Sequence, residues 1–98
     1  MVDIDVDYEE LGNVKKRFEQ QADAIDGIIN LMNAQIDNLR AGGWIGPGAD
    51  AFYAEMDNAV LPSTLRLSAA LKEAGETTNR AMVDFQRAED EAKSFFLS

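Results

Sequence analysis

Residues 42–52 read Gly42-Gly43-Trp44-Ile45-Gly46-Pro47-Gly48-Ala49-Asp50-Ala51-Phe52, near the middle of a 98-residue chain. Gly42 and Gly43 supply the left-handed backbone that ends a helix, and Pro47 suits the first turn of another. Asp50 then falls near the positive end of that second helix. The stretch predicts a tight bend between two helices. Trp44 is the only tryptophan, and it sits in the bend rather than on a helical stripe. It reads either as a plug closing the end of a bundle or as part of a recognition surface, since tryptophan is enriched where binding energy concentrates. The two readings are compatible.

Upstream of the bend, Leu11, Val14, Phe18, Ala22, Ile25, Ile29, Met32, Ile36 and Leu39 follow at gaps of three and four with a mean of 3.5 residues. That is the period of a helix packing along another with coiled-coil-like geometry. Asp7 is a candidate N-cap with Glu10 three positions on, and Val6 a candidate staple on Leu11. Arg40 suits the last turn. Downstream, Phe52, Met56 and Val60 open a second stripe. Leu67, Leu71, Ala74, Thr78, Met82, Phe85, Ala88, Ala92 and Phe95 continue it at the same mean spacing. Glu76–Arg80 and Glu89–Lys93 are favourable i, i+4 pairs on its other face. Pro62 conflicts with a regular helix, because it donates no hydrogen bond to Asn58 and presses on that carbonyl; a kink near 58–62 is expected. The reading is all-α: one domain over 1–98, an antiparallel two-helix hairpin with helix 1 about 8–41, the turn at 42–46 and helix 2 about 47–96. Met1–Val6 reads as a frayed tail.

Each helix carries more apolar surface than one seam needs. Ile28 lies beside the first stripe, and Tyr53, Leu61 and Leu65 beside the second. Such width implies dimerisation into a four-helix bundle. Gly27 and Gly75 lie at different heights and cannot face each other within one chain; they read either as points of approach by a partner helix or as tolerated glycines.

Composition narrows the chemistry. The chain has no histidine and no cysteine, so disulfide staples and thiolate or imidazole metal sites are excluded, and no cofactor is expected. Serine or threonine nucleophiles lack a histidine base, and the glycines of the bend lack the lysine of a phosphate-binding loop. The net charge of −9 is divided almost evenly between the halves. It either serves solubility or marks a surface that repels nucleic acid and anionic lipid while leaving basic protein partners open. No apolar run approaches the ~20 residues of a membrane span, so no stable membrane insertion is expected. The acidic start, Asp3, Asp5, Asp7, Glu9 and Glu10, is unlike a secretory signal.

Trp44-Ile45-Gly46, with Ala49 and Phe52 after it, between two heptad-like helices in a chain of this length, resembles the WXG family of ESAT-like type VII secretion substrates. The resemblance implies helical hairpins that pair antiparallel as homodimers or heterodimers. It implies synthesis in the bacterial cytoplasm and ATPase-driven export of a folded dimer without a cleaved signal. It implies protein–protein interaction rather than catalysis, as effector or co-exported partner. The family's second element is a tyrosine followed four positions later by an acid. The matching residues are Phe85 and Glu89, so the hydroxyl is missing, and Phe85 reads equally as a core residue in phase with Met82. Trp44 and Phe85 lie ~60 Å apart along a straight helix, and only a head-to-tail partner brings the two elements together. Phe95 fits the stripe, while Phe96 and Leu97 are candidates for tail recognition by the secretion ATPase. The reading from another class is an intracellular structural or escort bundle that binds a larger protein.

Overall fold

The computed structural model describes residues 6–97, the side chain of Leu97 excepted. Of the frayed tail expected over Met1–Val6, Met1–Asp5 lie outside the described residues, as does the recognition role of the Leu97 side chain, while Val6 is described and half-buried. Among the described residues there is no strand. Helix α1 spans Tyr8–Ala41, α2 spans Pro47–Glu55, a π-helical segment covers Met56–Val60, and α3 runs Leu61–Leu97. The last three form one continuous arm that returns along α1. The result is an all-α hairpin measuring 76 × 19 × 18 Å.

Local chemistry accounts for both ends of α1. Asp7 is extended, and its Oδ1 accepts the Glu10 backbone N–H at 2.9 Å, which satisfies one of the donors a helix start leaves open. Val6, the candidate staple on Leu11, lines a cleft with Phe85. At the other end the Trp44 N–H reaches the Leu39 carbonyl and the Gly43 N–H the Arg40 carbonyl, both at 3.1 Å. That is a Schellman ending, with Gly43 at φ 79 as its left-handed residue. Gly42 remains right-handed at φ −75, so one glycine of the pair makes the turn.

The seam between the arms is narrow. Ala22, Ile29 and Ile36 are buried on α1, seven residues apart and therefore almost in line. Leu11, Val14, Phe18, Ile25 and Met32 flank them half-buried. On the returning arm Ala49, Ser68 and Gly75 are buried, with Met56, Thr64 and Leu71 half-buried between them and Thr78 and Met82 half-buried beyond. The contact line therefore passes through small residues. Leu67 and Phe85 stay 48% and 46% exposed beside it. A Cβ added at Gly75 would meet the Cβ of Phe18 at 3.6 Å and nothing lies within 4 Å of one at Gly27. The helix approaching Gly75 is thus the chain's own α1, at ordinary contact.

Pro62 follows directly after the π segment. The Leu61 N–H bonds to the Met56 carbonyl, widening the turn where a regular ladder would press the proline ring on the carbonyl of Asn58. The Thr64 hydroxyl donates to the Val60 carbonyl at 2.7 Å, and the arm stays helical on both sides.

Candidate functional site

At the bend, three rings pack together. Trp44 lies 5.3 Å from Phe52 and 5.6 Å from Tyr53, tilted and edge-on respectively. The Tyr53 hydroxyl donates to the Trp44 carbonyl at 2.9 Å. The Arg40 guanidinium stacks 4.5 Å from the centre of the Tyr53 ring and pairs with Asp57 at 3.2 Å. Three elements thus hold one short loop: the end of α1, the start of α2 and the π segment. Gly46 caps α2 at φ 120, ψ 175, and its carbonyl accepts the Asp50 N–H at 2.9 Å. Trp44 is consequently anchored and still 42% exposed, and Ile45 beside it is 83% exposed. Arg40, Tyr53 and Asp57 carried no site reading in the sequence. The i, i+13 and i, i+17 separations that join them become neighbours only once the hairpin closes.

The two long faces of the hairpin differ in chemistry. On one, Lys72 pairs with Asp26 at 3.0 Å, and the buried Ser68 hydroxyl donates to the same carboxylate at 2.5 Å. These bonds, Ser68 first and Lys72 next, hold the Asp26 carboxyl below its ordinary value. Lys15, Glu19, Glu76, Asn79 and Arg80 line a polar groove on this side. At 100° per residue, Leu67 and Phe85 on α3 point away from Lys72 and Asn79, as Ile28 and Leu39 on α1 point away from Asp26 and Glu19. The polar flanks meet each other, so the apolar flanks share the opposite face. Ile28 is 48% exposed there and Leu39 38%. Near the bend this face deepens into a groove of about 210 Å³ lined by Leu31, Met32, Ile36, Leu39, Phe52 and Met56.

The open end holds the other sequence candidates. Phe85 and Glu89, one turn apart, line a cleft of about 230 Å³ with Val6, Ala88 and Ala92. The Tyr8 hydroxyl is buried beside the Glu89 carboxylate. Burial above all, then hydrogen bonding to Glu89 and the charges of Glu89 and Asp90, raises its pKa. A phenol therefore does stand near Glu89, but it comes from α1 and not from position 85. Phe96 is 77% exposed beyond this point. Trp44 and Phe85 lie toward opposite ends of the 76 Å rod, so a single chain does not bring them together.

Among the described residues no group of three or more His, Cys, Asp or Glu is placed to hold a metal ion, and no helix is long and apolar enough to cross a membrane. No curated protein and no solved structure matches the chain. A family model does, over residues 3–90, and it is described as proteins of 100 residues with WXG. With the helical hairpin, the Trp44-Ile45-Gly46 bend and a match spanning most of its length, this chain belongs to the WXG100 family.

Proposed function

We propose that this protein is a non-enzymatic substrate of a bacterial type VII secretion system, exported as a folded dimer without a cleaved signal. Outside the cell it works through protein–protein contact, as effector or as co-exported partner. Family membership supports the secretion route. The observation that carries the pairing is the long apolar face, opposite a face that bears the Lys72–Asp26 pair and a polar groove. The accessible surface is 7333 Å², against about 5,500 Å² for a compact monomer of this mass. Burying apolar surface is worth about 25 cal/mol per Å², so a second hairpin laid along this face completes the core. Head-to-tail pairing also sets the Trp44 bend of one chain near the Phe85–Glu89 end of the other. In this reading those two elements form the signal met by the secretion ATPase.

The test is the chain in culture supernatant, compared between cells with an active and an inactivated secretion ATPase. The expected result is intact protein outside only when the ATPase works, with export lost in Trp44→Ala and in Glu89→Ala variants that keep their helical circular dichroism. Intact protein retained in ATPase-active cells would overturn export and favour an intracellular escort bundle.

A further inference from the structure

We infer that the cleft at the open end is a receptor for an arginine side chain of a protein partner, its guanidinium pairing with Glu89 while it stacks on the Phe85 ring. This rests on the reading above that another protein meets this end of the exported molecule, and it adds the chemistry of that meeting.

The hairpin carries its own template for such a contact. At the bend, Tyr53 and Asp57 stand four residues apart on the returning arm, and one guanidinium serves both. Arg40 lies 4.5 Å from the centre of the ring and pairs with the carboxylate at 3.2 Å. Phe85 and Glu89 repeat an aromatic residue and an acid at the same spacing on α3. Side chains four apart on a helix are neighbours, so this ring and this carboxylate also fall within the span of one guanidinium. Among the described residues no cation of the chain pairs with Glu89, Lys93 one turn on included.

Glu89 is not placed like an ordinary surface acid. The seam of α3 passes Ser68, Gly75 and Met82 at seven-residue steps, and the next step is Glu89. It is half-buried, whereas residues 83–88 and 90–96 are all exposed. The buried Tyr8 hydroxyl lies against its carboxylate, which makes Tyr8 a positioning residue for the acid. Val6, Ala88 and Ala92 give the cleft apolar walls, and its volume is about 230 Å³. Pockets for drug-sized molecules run from about 300 to 1,000 Å³. A smaller cleft with one carboxylate suits a long side chain that buries its stem and keeps a charged head. Arginine suits it better than lysine, because a planar, weakly hydrated guanidinium stacks on an aromatic face. Charge complementarity points to a basic partner as well. Residues 6–10 and 84–93 together hold seven acids and two bases, a field that draws positive surface toward this end.

The test is a nuclear magnetic resonance titration of the isotope-labelled full chain with a blocked alanine pentapeptide carrying one central arginine. The same peptide carrying citrulline, the neutral isostere, or lysine is the control. Arginine is expected to shift the amides of Val6, Phe85, Glu89 and Ala92 saturably, and to bind about fivefold or more tightly than either control. Glu89→Gln, which keeps the shape of the side chain, is expected to remove the preference over citrulline, and Phe85→Leu the preference over lysine. Equal binding of arginine and citrulline to the unaltered protein would overturn the site, whatever the variants do, and so would shifts spread evenly over the acidic surface. Lysine matching arginine would overturn the guanidinium assignment. ATPase-dependent export of a chain with no arginine preference would overturn this inference and leave the export reading standing. An arginine preference in a chain that the ATPase does not export would do the reverse.

Discussion

Gly46 is where the family motif has its plainest physical meaning. Its backbone, at φ 120 and ψ 175, occupies a region open essentially to glycine, and no heavy atom lies within 4 Å of a Cβ built there. The constraint is backbone conformation and not crowding. Gly46→Ala is therefore expected to lower stability by about 1–3 kcal/mol. Urea unfolding followed by helical circular dichroism at fixed chain concentration measures it; an unchanged midpoint would mean that the bend relaxes into another path. The bend was legible in sequence because Gly-Gly and Gly-Pro carry their geometry locally. The clamp on Trp44 was not. Arg40, Tyr53 and Asp57 belong to different elements, and nothing in their spacing announces that a guanidinium will stack on one and pair with the other.

The individual helices show where hydropathy informs and where it misleads. On α1 the 3.5-residue period leads straight to the buried Ala22, Ile29 and Ile36, although Leu39 on the same stripe stays 38% exposed. On α3 the arms meet over Ser68 and Gly75, which no hydropathy pattern marks, while Leu67 and Phe85 turn partly outward. The stripe that looked like one seam therefore serves two surfaces. Pro62 signalled a disturbance, but a widened turn over Met56–Val60 has no sequence signature of its own. The polar seam gives a pH prediction. Asp26 is held below its ordinary 3.8 by Ser68 and Lys72, so the unfolded chain takes up that proton first as acid is added. The carboxylate's contribution is present above 3.8 and is lost as the pH falls through the lower folded value. Asp26→Asn is expected to be less stable than wild type near neutrality, with the difference shrinking in acid below that point. Unfolding midpoints measured across pH 2–7 would show it, and a gap independent of pH would remove Asp26 ionisation from the account.

At the scale of the molecule, an apolar face must be joined against charge. Each copy carries −9, so two copies approach against mutual repulsion that a salt-free buffer leaves almost unscreened. Around 0.1 M salt the screening length is about 10 Å, shorter than most separations between charges on facing rods. Hydrophobic contact is not weakened by that screening. The two terms thus predict a sign: the dissociation constant of the self-associated form should fall severalfold as sodium chloride is raised from about 0.02 to about 0.2 M. Sedimentation equilibrium over that range measures it directly. A constant that rises with salt would mean that opposite charges, such as Lys93 against the acids of α2, hold the copies together. In that case the face bearing Ile28, Leu39, Leu67 and Phe85 would not be the one they share.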